Sequence, residues 1–242
     1  MRNVITCKDV TFYYDVQPAL QNINLEIEEQ DFMAILGPNG GGKTTLIKLV
    51  LGLLSPSSGT IEVLETSPFK ARKNIGYVPQ YGAFDRNFPI KVKEVVKMSE
   101  LKSNSILPWY PKEVEKRANQ ILEQLQIKHL ADKKLNELSE GQKQRTLIAR
   151  ALMTDPEILI LDEPTASIDT NVEKDVYDML KELNETKTII LISHDIGFVS
   201  TYVNKVTCLN ICSCTHKIDE IEGSIVDVYN RSLKFLHHKC NL

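Results

Sequence analysis

The run Gly37-Pro38-Asn39-Gly40-Gly41-Gly42-Lys43-Thr44-Thr45 matches the pattern G-x-x-x-x-G-K-[ST] and constrains the fold more than any other part of the chain. Such a loop works between a strand and a helix. Its glycines let backbone N–H groups curl around phosphates, and the helix N-terminus that follows adds its dipole and free amides. The flanks comply: residues 32–36 form a short apolar run suited to a buried strand, and residues 45–54 read as the start of an apolar helix. Strand, loop and helix together predict an α/β fold with a phosphate-binding edge. Within the loop Lys43 is placed to reach the outer phosphates and the Thr44 hydroxyl to ligate magnesium, so a nucleoside triphosphate with Mg is the expected ligand.

Composition narrows the partners. With 29 basic and 32 acidic residues the formal net charge is −3, so no overall positive field favours nucleic acid, and no nucleic-acid partner is expected. The first ten residues lack an apolar signal core, and no run approaches the ~20 apolar residues needed to cross a bilayer. A soluble, cytosolic chain is the expectation. Five cysteines are an odd count without the spacing of a secreted disulfide scaffold, which predicts mostly free thiols.

Apolar clusters at 4–10 and 23–27 suggest short strands ahead of the phosphate loop, and another strand is expected at 60–64, after the Ser-Pro-Ser-Ser-Gly turn ending at Gly59. From residue 92 to 152 the character is helical: Val114, Ala118, Ile121, Leu122 and Leu125 recur at helical spacing, with Pro111 suited to the first turn. Strand signals return at 158–161 and 188–192, separated by a candidate helix over 171–183, which together predict a βαβ unit.

The segment Ile-Leu-Ile-Leu-Asp-Glu-Pro at 158–164 reads as a strand buried on both faces that releases two carboxylates at its carboxyl end, where open α/β sheets bind ligands. Asp162 is suited to hold Mg through its hydration shell, and Glu163 to orient or deprotonate an attacking water. Two further strand ends lead to Gln80 and His194, each able to place a polar group near the terminal phosphate. Taken separately, each of these residues is as well explained by strand-end capping or solvation.

A third motif, Leu-Ser-Glu-Gly-Gln-Lys-Gln-Arg at 138–145, begins with a capping box of Ser139 and Gln142 and continues into a helix whose buried face is Leu147, Ile148, Ala151 and Leu152. Alone it denotes a capped helix. Lying between the phosphate loop and the carboxylate pair, it completes the motif set of the ATP-binding-cassette (ABC) ATPases, which the chain resembles over about residues 4–207. That resemblance implies a P-loop NTPase cassette with a RecA-like core, an N-terminal antiparallel β subdomain and an inserted helical subdomain at about 84–154. The cassette domain would span 1–223, with a C-terminal tail at 224–242. It also assigns roles. Gln80 resembles the Q-loop glutamine, which also joins Thr44 and Asp162 around Mg. Ser139, Gly141 and Gln142 belong to the signature, Asp169 ends the D-loop at 166–169, and His194 is the switch histidine. Tyr14 fits the aromatic that stacks on adenine, although strand-end packing equally suits both Tyr13 and Tyr14. Residues 37–45 are all candidates for nucleotide contact, and Glu163, His194 and Gln80 for catalysis.

In the family two cassettes pair head to tail, so the phosphate loop of one faces the signature helix of the other and two ATP molecules lie between them. The resemblance therefore implies a homodimer at the cytoplasmic face of the cell membrane, driving integral-membrane permease subunits and, indirectly, an extracellular solute-binding protein. Two positions depart from the usual pattern. Glu140 stands where glycine is usual and is expected to point away from nucleotide, favouring the dipole of its helix. Gly41 replaces a common serine or alanine and is expected to be tolerated.

The segment 84–99, containing Phe88, Pro89, Ile90, Val92, Glu94, Val95 and Met98, is similar to the stretch after the Q-loop in ATPase subunits of manganese, zinc and iron importers. These residues would also pack the start of the helical subdomain. Phe84, Phe88 and Pro89 are expected to line a groove for a permease helix. The competing readings are a cassette ATPase for another solute, a DNA-repair or chromosome-associated cassette, a P-loop kinase or GTPase, and a non-catalytic module. The missing coiled-coil insertion and basic surface disfavour the second, the signature motif the third, and Lys43, Glu163 and His194 the last. Finally, Cys208, Cys212, Cys214 and His216, with His237, His238 and Cys240 in the tail, offer soft metal ligands, but their spacing matches no standard zinc site and a buried structural thiol suits Cys208 better.

Overall fold

The computed structural model describes residues 2–80, 89–100, 110–165, 169–193 and 201–218, together with Asp227, Tyr229 and Ser232. In chain order the main elements are β1 (Asn3–Tyr14), β2 (Gln17–Glu28), β3 (Phe32–Leu36), α1 (Lys43–Val50), β4 (Ser58–Val63), α2 (Pro68–Ala71), β5 (Ile75–Val78), α3 (Val92–Lys97), α4 (Lys112–Gln124), α5 (Glu140–Leu152), β6 (Ile158–Asp162), α6 (Thr170–Asn184), β7 (Thr188–Ser193), β8 (Lys205–Asn210) and β9 (Cys212–Lys217).

They form two sheets. A three-stranded antiparallel sheet has the order β2-β1-β4, and a six-stranded sheet has the order β5-β6-β7-β3-β8-β9. The larger sheet is parallel except for β9, which pairs antiparallel with β8. Its central strands are apolar on both faces because both are covered. Ile158, Ile160, Ile190 and Ile192 face α1 and the smaller sheet, whereas the alternate residues Leu159, Leu161, Ile189 and Leu191 pack with α3, α4, α5 and α6. The expected βαβ unit is β6-α6-β7, with its two strands adjacent and parallel. The helical stretch resolves into α3, α4 and α5, with Pro111 at the N-cap of α4. Val92 and Val95 are fully buried in the same core.

The strand β9 is not legible in the sequence, because Cys-Ser-Cys-Thr-His-Lys carries little hydrophobic alternation. It is an edge strand, and only Cys212 among its residues is buried. Cys7, Cys208 and Cys214 are free thiols, and Cys212 is disulfide-bonded. Burial pushes the Cys7 thiol up to about 12 and the Cys208 thiol up to about 11.

At the opposite end of β3 from the phosphate loop, Asp31 ties three strands together. Its Oδ2 accepts hydrogen bonds from Lys205 Nζ at 2.7 Å and from the Glu28 amide at 2.8 Å, and both members of the ion pair are buried. Asp31→Ala strands the Lys205 ammonium and is expected to cost about 3 kcal/mol, most of it recovered by adding Lys205→Met. Urea denaturation of the two variants measures both values.

Candidate functional site

The phosphate loop leaves the carboxyl end of β3 and turns into α1 at Gly42, the N-cap, whose φ of 94° is open to glycine without strain. Lys43 opens the helix and folds back, donating from Nζ to the carbonyl oxygens of Gly37 at 2.8 Å and Pro38 at 2.9 Å. Burial lowers the pKa of this ammonium, and the charges of Glu163 and Asp162 oppose that shift. The lysine thus lies between the loop and a pair of carboxylates.

Those carboxylates come from β6. Asp162 ends the strand, and Glu163 follows in the left-handed region with φ 48°, its amide donating to Ile192 O of β7 at 3.0 Å. A glutamate held there is strained, and strain of this kind persists where the surrounding structure over-determines it. Gln80, two residues beyond β5, donates from Nε2 to Glu163 Oε2 at 2.6 Å. Burial raises the pKa of Asp162, and the neighbouring Glu163 charge adds to the shift; Tyr77, whose hydroxyl lies 3.4 Å from Asp162 Oδ2, and Lys43 oppose it. The Tyr77 phenol in turn is pushed up to about 12, by burial first and then by Asp162.

These groups share one cavity of about 850 Å³, lined by every residue from 37 to 45 and by Tyr14, Gln80, Asp162 and Glu163. Tyr14 reaches it and Tyr13 does not; the Tyr14 ring stands edge-on to Phe12 at 4.9 Å and remains 47% exposed, leaving a face available for stacking. Gln17, Pro18, Ala19 and Tyr229 also line the cavity and escaped sequence reasoning. The first three begin the strand that pairs with the Tyr14 end of β1, a proximity that only strand pairing creates. A hydroxyl from Thr44, a carboxylate from Asp162 and an amide from Gln80 are a hard oxygen donor set that suits Mg, beside a lysine and loop amides that suit phosphates.

The signature residues do not join this cavity. Ser139 caps α5, its Oγ accepting from the Gln142 amide at 3.3 Å while Gln142 Oε1 accepts from the Ser139 amide at 3.1 Å. Gly141 lies against α6, where a Cβ would collide with Val172. Glu140 turns back along its own helix to pair with Lys143 at 2.8 Å. Asp169 stands at the N-cap of α6, also away from the cavity. His194, residues 166–168, Phe84, Phe88 and the tail residues His237, His238 and Cys240 lie outside the described residues. Pro89 is described and exposed.

The structure adds to two of these readings. Glycine at position 41 has a packing reason: a Cβ there would come within 2.9 Å of Leu209 O and 3.1 Å of Pro38 O, because the β8–β9 turn packs directly on the loop. The Cys/His set does not assemble a metal centre among the described residues, where no group of three His, Cys, Asp or Glu side chains is placed to hold an ion. Nor is any described helix long and apolar enough to cross a membrane.

The sequence profile of the family described as ABC transporter matches residues 20–166. A zinc uptake system ATP-binding protein of Listeria innocua is 38% identical over 215 residues, spanning 87% of this chain and 84% of its own length. A manganese transport system ATP-binding protein of Halalkalibacterium halodurans is 33% identical over 246 aligned residues, spanning all of this chain and 94% of its own. Among solved structures, a dimeric post-hydrolysis state of an ATP-binding cassette bound to ADP and phosphate superposes with a TM-score of 0.74 at 29% identity, covering 88% of this chain and 98% of the other.

Gly41→Ser is expected to weaken MgATP binding about tenfold through displacement of the loop, a loss readable by nucleotide titration. Asp162→Asn separates stability from function. The raised folded-state pKa means that the buried carboxylate's contribution is present at low pH and lost as pH rises through that pKa, so the variant should melt higher than the parent in Mg-free neutral buffer. The gap should close on acidification, which thermal melts across a pH series measure.

Proposed function

The chain belongs to the ABC transporter family, and from that premise we propose that it is the ATP-hydrolysing subunit that powers import of a transition-metal ion through a membrane permease. One observation carries the enzymatic part: Lys43, Asp162, Glu163 and Gln80 converge with the phosphate loop on a single polar cavity. The metal-ion part is supported by the relatives named for zinc uptake and manganese transport, and by the segment beginning at Phe88. Zinc, manganese and iron all fit this reading, since an ATPase of this kind does not contact the transported ion.

Lys43 is already a buried cation at the loop, so exchanging its carbonyl partners for phosphate oxygens keeps the charge solvated by protein at every stage. Mg, held by Thr44, Asp162 and Gln80, would neutralise phosphate charge. Glu163 takes the role of general base: its strained backbone sets the carboxylate at the cavity, Gln80 donates to its Oε2, and the carboxylate there orients water in line with the terminal phosphate. Tyr14 stacks on adenine at the outer wall. His194 is assigned to the terminal phosphate on its motif alone.

The site needs a second copy. Ser139, Gly141 and Gln142 sit at the N-terminus of a 13-residue helix with a satisfied capping box, yet none faces its own phosphate loop. Head-to-tail pairing would bring that helix end, and Asp169, to the nucleotide of the opposite subunit, supplying oriented amides where charge develops. A related cassette has been seen as a dimer with ADP and phosphate. Release of the clamp on hydrolysis would pass through the Q-loop and the helical region 84–154 to permease subunits at the cytoplasmic face of the membrane, with a solute-binding protein delivering the ion outside.

Lys43→Ala is expected to weaken nucleotide binding at least about tenfold, whereas Glu163→Gln keeps binding and loses turnover by about 10²–10⁴. The Glu163→Gln protein should run as a dimer in saturating ATP by size-exclusion chromatography with light scattering; a persistent monomer contradicts the sandwich. Phe84→Asp should spare nucleotide binding and uncouple metal uptake in reconstituted vesicles, and normal uptake of zinc, manganese and iron by that variant would overturn the docking assignment.

A further inference from the structure

The β8–β9 hairpin sets two free thiols opposite each other behind the phosphate loop. Cys208 and Cys214 are Cα partners in the antiparallel register. Directly opposed residues lie about 4.5 or 5.5 Å apart at Cα, depending on the type of pair, and present their side chains on the same face. Both spacings fall within the roughly 4.4–6.8 Å that a disulfide spans.

The two thiols differ in environment. Cys208 is fully buried, whereas Cys214 is half-buried with its Sγ 3.4 Å from His216 Nε2. That nitrogen also lies 2.9 Å from Ser232 Oγ. An imidazole so placed can take the Cys214 thiol proton, and the thiolate is the reactive form. Cys214 is therefore the attacking sulfur and Cys208 the resolving one.

The hairpin has no slack against the nucleotide site. Leu209, the neighbour of Cys208, puts its carbonyl oxygen where a Cβ on Gly37 would stand, and the Ile211 amide donates to Gly41 O at 3.1 Å. Tyr229, which lines the nucleotide cavity, packs against the same core as both cysteines. A shift of the hairpin reaches the phosphate loop and a second lining residue of the cavity together.

We propose that Cys208 and Cys214 form a reversible thiol–disulfide switch, closed by hydrogen peroxide, that lowers the affinity of the cassette for nucleotide. In the first step the Cys214 thiolate attacks peroxide: an S–O bond forms, the O–O bond breaks, and hydroxide leaves as water after taking up the proton held by His216. Peroxide is reduced by two electrons and Cys214 becomes a sulfenic acid. In the second step the Cys208 sulfur attacks Cys214: the S–S bond forms, the S–O bond breaks, and water departs with the Cys208 proton. A dithiol reverses the change by exchange.

The test uses the full-length protein, treated with hydrogen peroxide and then with dithiothreitol, with peptide mass mapping and MgATP titration at each stage. Peroxide should join the Cys208 and Cys214 peptides and raise the MgATP Kd at least about fivefold, with recovery in dithiothreitol. Cys214→Ser should bind MgATP like the reduced parent and lose the response, while Cys212→Ser keeps it. Failure to form the Cys208–Cys214 link, an unchanged affinity once it forms, or a response that survives in Cys214→Ser each overturns the switch. The readout rests on nucleotide binding by the reduced chain: no MgATP binding before oxidation overturns that functional reading instead, whereas equal binding before and after overturns only the switch.

Discussion

The site depends on the parallel register of β6, β7 and β3. Asp162 pairs with Ile192, and Leu36 with Ser193, so the three strands end nearly level and release their loops at one edge. That alignment sets Lys43 from one strand's loop against Asp162 and Glu163 from another, with β7 between them. A slip of one residue would turn every side chain of a strand to the opposite face and empty both cores at once. The two hydrophobic clusters on either side of the sheet therefore hold the geometry of the cavity as well as the fold.

Around that frame the site balances opposed charges in a partly buried setting. Burial disfavours the Lys43 ammonium and the Asp162 carboxylate, and each supports the other's charged form. Glu163 adds repulsion toward Asp162 and sits in a strained backbone conformation, with its amide N–H donating to Ile192 O of β7. Such a cluster trades stability for function, as is common where titratable groups are gathered at a functional site. The helix α5 is self-sufficient at its start: its first turn satisfies itself through the Ser139–Gln142 box.

The β8–β9 hairpin gives the phosphate loop its back wall. Leu209 and Ile211 meet Gly37 and Gly41 through backbone atoms, so the loop is positioned by a segment some 170 residues away in sequence and coded by no motif. The same contact explains why a glycine at position 41, which reads as incidental in the sequence, has a packing role.

The sequence by itself determined the chemistry: the phosphate loop, the Asp162–Glu163 pair, Gln80 and the capped signature helix are local patterns whose residue types and spacing are set by the groups they must contact. It also determined most strands of the central sheet, since burial on both faces leaves unbroken aliphatic runs at 158–161 and 189–192. Tertiary structure alone decided what depends on pairing between distant segments. The edge strand β9 carries no hydrophobic alternation because its outer face is open. Gln17, Pro18, Ala19 and Tyr229 reach the cavity only through strand pairing and chain return. Separation of Ser139, Gly141 and Gln142 from the subunit's own phosphate loop is likewise a property of how α5 packs, because a motif specifies which atoms can bind a phosphate and packing specifies where those atoms are.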